Sequence, residues 1–275
     1  MRNHRSRVLD LLIGVAWLLP AGAAAQPPAI ENVLDLSGTA AFVGGITYDP
    51  TTDHLFVADL NANAVLEVER TGGSVVASWP TPGGTGAPTG ITYVGASDHL
   101  FFVSETTNQL VEVTRDGVLV AAYTLSVPPV SVSGCTFNSL TGTLFVVDDG
   151  ASTMIESTLD GTVLGVVSLL GFGIFDADGI TYNAVDNTMF VGDDIGRRLY
   201  EITADGSLLL NIYDLGPVGL NTGGVEGLGF DQGGERLFLA HGATRLVYEI
   251  SGVTGGGTVA IEPASWGRVK ATFAR

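Results

Sequence analysis

One string, GITY or a near copy, starts at Gly45, Gly90, Gly134, Gly179 and Gly227, at intervals of 45, 44, 45 and 48 residues. A period in the forties with strand-like segments inside each unit is the sequence sign of a β-propeller. The units share one grammar. GITYDP from Gly45 reads as a short strand and turn, and HLFVAD from His54, AVLEVE from Ala64 and SVVASW from Ser74 follow with alternating polarity. That period of two marks half-buried strands. Gly72-Gly73, Asp116-Gly117, Asp160-Gly161 and Asp205-Gly206 mark the tight turn between the third and fourth strands, where positive φ angles are needed. The predicted fold is all-β: a five-bladed propeller of four-stranded antiparallel blades over residues 26–254.

The fifth unit lacks a clear fourth strand. Val33-Leu34-Asp35-Leu36 resembles Ile212-Tyr213-Asp214-Leu215 of the unit before it. Pairing residues 30–37 into the last blade would close the ring and cover its open edges. Thr258 to Ile261 is the rival donor.

Residues 1–25 read as a cleaved signal peptide: Arg2, Arg5 and Arg7 precede an apolar run from Leu11 to Leu19, and Ala23-Ala24-Ala25 supplies the small residues of a cleavage point. The run is too short to cross a bilayer. The expected location is therefore secreted or periplasmic, with no membrane span. Residues 255–275 read as a glycine-rich linker and a locally basic tail.

The chain carries 29 acidic against 12 basic residues, a net charge of −17. Such a field excludes nucleic acid as a partner and attracts cations. The expected partner is an extracellular protein or a small ligand, met by a monomer. Cys135 is the lone cysteine and replaces an aliphatic residue of the repeat, so it reads as a small buried hydrophobe.

Self-comparison separates scaffold from site. Glu67, Glu112, Glu156, Glu201 and Glu249 recur at one place of the third strand in all five units, so a common structural role is expected. Two places vary. Before the repeat glycine stand Gly44, Thr89, Ser133, Asp178 and Glu226; at the end of the second strand stand Asp59, Ser104, Asp148, Asp193 and His241, followed by Leu60, Glu105, Asp149, Asp194 and Gly242. Strand direction puts both places on one face near the central channel. Asp178 and Glu226 would line the mouth, with Asp148 and Asp193 as outer ligands or orienting groups. His241, Asp59, Glu105, Asp149, Asp194 and Asp176 would complete the surroundings. Clustered carboxylates repel unless a cation or a proton compensates, and oxygen donors suit Ca²⁺.

The repeats, with VEGLGFD at Val225 and DADGITYN at Asp176, resemble the SdiA-regulated family of bacterial periplasmic propellers. They also resemble the wider group of NHL repeats, gluconolactonase-type enzymes and esterase-like phytases. The first resemblance implies five blades and the others mostly six. It further implies a calcium ion near the channel, with the acid before the repeat glycine among its ligands. Glu226 and Asp178 match that place; Gly44, Thr89 and Ser133 do not. No GxSxG, HExxH or P-loop is present. The expected function is a binding module with a Ca²⁺-binding mouth; the alternative is a Ca²⁺-dependent lactonase, esterase or phosphoesterase using the same mouth.

Overall fold

The structure, a computed structural model, describes residues 28–216 and 224–253. The expected signal peptide and the C-terminal tail, with the rival donor Thr258 to Ile261, lie outside the described residues.

After β1 (Ala29–Asp35), four consecutive blades follow in chain order. The first holds β2 (Val43–Asp49), β3 (His54–Asp59), β4 (Ala64–Glu69) and β5 (Val75–Pro80). The second holds β6 (Gly90–Val94), β7 (His99–Ser104), β8 (Gln109–Thr114) and β9 (Leu119–Thr124). The third holds β10 (Val132–Asn138), β11 (Thr143–Asp148), β12 (Thr153–Ser157) and β13 (Val163–Ser168). The fourth holds β14 (Ala177–Asn183), β15 (Thr188–Asp193), β16 (Arg198–Thr203) and β17 (Leu209–Asp214). The last blade is β18 (Gly227–Asp231), β19 (Arg236–His241) and β20 (Leu246–Ser251), with β1 as its outer strand.

The closure is a matter of packing as much as of hydrogen bonding. β1 runs antiparallel to β20, pairing Val33 with Tyr248 and Leu34 with Val247. Leu34 and Leu36 are buried in a cluster that includes Phe238 and Val247 of the last blade and Val43, Val57 and Leu66 of the first. The strand thus fastens the two ends of the ring together, as expected for residues 30–37.

The repeat glycine has a steric reason. A Cβ on Gly45 would meet Gly90 Cα at 2.6 Å, one on Gly90 would meet Gly134 Cα at 2.7 Å, and one on Gly227 would meet Gly45 Cα at 2.7 Å. The innermost backbones therefore touch around the axis, and no side chain fits between them. Gly45 N–H also donates to the Thr89 carbonyl of the next blade at 2.5 Å. This level of close strand contact lies between the two mouths of the ring.

The recurring glutamates are scaffold. Each is held by the residue that opens the neighbouring second strand: His54 to Glu67 at 2.9 Å, His99 to Glu112 at 2.7 Å, Thr143 to Glu156 at 2.9 Å and Thr188 to Glu201 at 3.0 Å. Arg236 stands 3.9 Å from Glu249 at the fifth such place. Cys135 is buried, and burial pushes its thiol up to about 12, which removes it from thiolate chemistry at neutral pH.

Candidate functional site

The mouth at which the inner strands begin is built by backbone anchoring. Asp148 ends β11, and its carboxylate accepts N–H bonds from Val130 (2.7 Å), Ser131 (2.9 Å) and Ala151 (3.1 Å). Asp59 does the same in the first blade, for Ala41 (2.7 Å), Phe42 (3.0 Å) and Ala62 (3.1 Å). Asp193 accepts from Phe175 (3.2 Å) and Gly196 (2.8 Å). In each case one acid ties the segment entering the blade to the turn leaving its second strand. Asp148 and Asp193, expected as outer ligands or orienting groups, thus have both oxygens engaged by the backbone. Asp59 is engaged in the same way, with Ala41 on one oxygen and Phe42 and Ala62 on the other.

A separate set of acids stands next to them in the chain. Asp149 follows Asp148 directly, and its N–H donates to the Ser131 carbonyl at 3.0 Å. Asp176 follows the amide of Phe175 that Asp193 holds, and its carbonyl accepts from Asp194 N–H at 3.1 Å. Asp178 sits just inside the start of β14, next to the repeat glycine. Carboxylate oxygens of Asp149, Asp176 and Asp178 lie within 4.8 Å of one another, with Asp178 the most enclosed. Asp149 Oδ1 is buried and has no hydrogen-bond partner. Asp178 Oδ1 accepts from the Ser133 hydroxyl at 2.9 Å.

The electrostatics follow from this enclosure. Burial, assisted by the charges of Asp176, Glu226 and Asp194 and opposed by the Ser133 hydrogen bond, pushes Asp178 up to about 8. Burial, then Asp194 and Asp176, pushes Glu226 up to about 7. Asp176 is raised by burial and by Asp194, Asp149 and Asp193. Asp194 is raised by burial and by Asp193, while His241 and Arg197 act in the opposite direction. Asp178, Glu226, Asp176 and Asp194 therefore form one coupled field at the mouth, on the side of the third to fifth blades. Glu105 is exposed on the turn after β7, and no hydrogen bond ties it to the acidic group. His241 is buried, with its Nδ1 at 3.0 Å from the Thr244 hydroxyl, in the place where three other blades carry the anchoring aspartate.

Three carboxylates within 4.8 Å, one with an orphaned buried oxygen, fit a hard cation. They supply oxygen donors only. The sequence pattern marked Asp178 but left Asp149 and Asp176 among the surroundings. The signal that raises them is position: each lies next to a backbone group that an anchoring aspartate fixes.

The opposite mouth differs in kind. A cavity of about 400 Å³ lies there, walled by Tyr48, Tyr93, Phe137, Tyr182 and Phe230, with Gln232 at its side. Gln232 is tied down, its amide bonding Tyr182 carbonyl at 2.7 Å and Ala184 N–H at 2.6 Å.

The SdiA-regulated family matches residues 129–270. No curated protein matches the chain in sequence. Among solved structures, glutaminyl cyclase of Myxococcus xanthus superposes with a TM-score of 0.62 at 14% identity, over 82% of this chain and 98% of that one. A luciferin-regenerating enzyme gives a TM-score of 0.57 at 10% identity over 84% and 98%. A streptogramin B lyase gives 0.52 at 14% over 83% and 99%. At such identities the likeness is one of fold.

Proposed function

The chain belongs to the SdiA-regulated family, and from that premise and its acidic mouth we propose that it is a secreted binding module whose mouth holds one Ca²⁺ ion. Asp149, Asp176 and Asp178 are the ligands, Glu226 and Asp194 set the surrounding field, and Asp148 and Asp193 fix the ligand-bearing segments. The observation that carries the reading is that Asp149, whose buried Oδ1 has no hydrogen-bond partner, brings its carboxylate within 4.8 Å of two others. Buried oxygen without a partner is costly, and a divalent cation removes that cost together with the mutual repulsion. The apolar run and small residues of 1–25 support export to a compartment where free Ca²⁺ is abundant. Extracellular modules bind it at about 10⁻⁴–10⁻³ M.

Thermal unfolding with Ca²⁺ and with chelator tests this. The parent should melt higher in Ca²⁺, and Asp149→Asn with Asp178→Asn should remove the difference. A melting temperature indifferent to Ca²⁺ and chelator refutes it.

A second reading, a Ca²⁺-dependent hydrolase of esters, lactones or phosphoesters, draws on one observation. Asp178 and Glu226 titrate near neutrality, at about 8 and about 7, where a carboxyl group serves best as general acid or base. A panel of such substrates decides it: turnover lost with chelator and with Glu226→Gln supports the enzyme, and no turnover leaves the binding module.

A further inference from the structure

On the face opposite the acidic mouth, the blades are joined by a device that recurs and then fails. Arg115, just past β8, reaches back to the first blade. Its guanidinium donates to Asp49 Oδ2 at 2.6 Å, to Glu67 Oε1 at 2.6 Å and to the Thr52 hydroxyl at 3.1 Å. It lies 4.9 Å from the Phe56 ring centre and 5.8 Å from that of Tyr93. Arg70, at the same place in the first blade, repeats this against the last. It donates to Glu249 Oε1 at 2.5 Å and Asp231 Oδ2 at 2.9 Å, and stacks on Phe238 and Tyr48 at 5.2 and 5.4 Å. Two junctions thus contain one socket: a third-strand glutamate, a polar residue ending the inner strand, and two aromatic faces around a guanidinium.

The remaining junctions lack the arginine. Leu159 stands there in the third blade, packed against the same buried cluster as Phe137 and Tyr123, while the Tyr123 hydroxyl donates to Glu112 at 2.9 Å. Gly252 stands there in the fifth blade, and Asn211 and Tyr213 donate to Glu201 instead, at 2.6 and 3.2 Å. The junction of the third and fourth blades is different. Its arginine place is Ala204, and Val167 occupies the register position of Tyr123 and Tyr213. Among the described residues, Glu156 accepts one hydrogen bond, from Thr143. A cavity of about 560 Å³ lies there, lined by Glu156, Asn138, Thr141, Phe145, Asn187 and Ala204 among others, none of them basic. These are the counterparts of Glu67, Asp49, Thr52, Phe56, Asp98 and Arg115. The Tyr182 hydroxyl donates to Asn187 at 3.0 Å, as that of Tyr93 does to Asp98 at 2.7 Å.

We propose that this cavity is a recognition pocket for a guanidinium group, presented by an arginine side chain of a partner protein. The glutamate, the hydroxyl and the aromatic face of the socket that holds an internal arginine persist here without one, with Asn138 in place of the inner-strand carboxylate. The planar fork donates to Glu156 and the Thr141 hydroxyl, and its face rests on Phe145, while the Asn138 amide oxygen stays with the Leu140 N–H at 2.9 Å. Asp186 and Asp205 stand exposed at the rim. They repel a free carboxylate, which favours an arginine within a peptide over the free amino acid.

Titration of the protein with methylguanidinium and methylammonium at constant ionic strength, followed by NMR, tests this directly. Methylguanidinium should bind saturably, at least tenfold tighter than methylammonium, and Glu156→Gln should weaken it at least tenfold. Acetyl-arginine-methylamide should bind tighter than free L-arginine. Ala204→Arg should fill the socket from within, abolish binding and raise the melting temperature. Absent or non-saturable binding, equal binding of methylammonium, or an Ala204→Arg protein that melts below the parent overturns the proposal. Tighter binding of free L-arginine overturns the assignment to a protein-borne group.

Discussion

The two sides of the ring solve the same packing problem differently. Where the last, first and second blades meet, Arg70 and Arg115 bridge the junctions beneath, and Gly44 and Thr89 stand uncharged at the mouth above. Where the third and fourth meet, the bridge is missing beneath, and Asp149, Asp176 and Asp178 gather above. Because the blade backbone is common to both, the contrast assigns roles. The first side holds the ring shut, and the other carries Asp149, Asp176 and Asp178, which form no salt bridge among the described residues. Binding sites are expected on the second side.

Removing residues 28–37 attacks the first side hardest. It takes out β1, exposes the edge of β20 and uncovers the pocket filled by Leu34 and Leu36. The protein should lose several kcal/mol of a total of about 5–15 or aggregate, as urea unfolding would show; a parent-like midpoint would contradict closure by this strand. Next in size are Arg70→Ala and Arg115→Ala. Each leaves a nearly buried acid pair without its cation, at a cost of about 3 kcal/mol. Arg198→Ala, on the exposed start of β16, should change stability by less than about 0.5 kcal/mol. If all three cost the same in chemical denaturation, the division of the ring is wrong.

At the mouth, ligand and orienting acids should separate. With Ca²⁺ at a hundredfold excess over its dissociation constant, the parent gains about 2.7 kcal/mol. Asp178→Asn should lose that gain while the metal-free protein stays as stable or becomes slightly more so, since the cost of burying this acid, which must take up a proton to fold, is gone. Asp148→Ala should destabilise by about 1–3 kcal/mol with or without Ca²⁺, because three backbone N–H groups lose their acceptor.

The smallest effect is the dependence on pH. Asp178 and Glu226 titrate at about 8 and about 7 in the folded protein and near about 4 in the unfolded chain. Between those limits the folded state binds more protons, so their contribution to metal-free stability is full below about pH 4 and is lost as pH rises through 7 and 8. Ca²⁺ must displace those protons, so its apparent affinity should rise over the same interval. Melting curves from pH 5 to 9, with and without Ca²⁺, should therefore diverge as pH rises; parallel curves would contradict the coupling.

Much of this was legible in the sequence, and the reason is repetition. Five copies of one string fix the blade count, and the likeness of Val33–Leu36 to Ile212–Leu215 points to the closing strand that β1 forms. The five glutamates are rightly scaffold because symmetry implies a shared task. The same rule misleads at the end of the second strand. Asp59, Asp148 and Asp193 share an anchoring task, but Ser104 and His241 in the other two blades make the position look variable. A carboxylate that accepts backbone N–H groups is indistinguishable in sequence from one that awaits a cation. Asp149 and Asp176 meet Asp178 only through the path of two loops, which no periodicity encodes. The empty socket at Ala204 is a missing residue in a repeat, and its meaning needed the partners that surround Arg115.

The most direct test of the central claim is anomalous diffraction from crystals grown in Ca²⁺, with the metal identified by its scattering. The account predicts one strong peak at the mouth, coordinated by carboxylate oxygens of Asp149, Asp176 and Asp178. No peak there, or one ligated by Asp148 and Asp193 in their place, would contradict it.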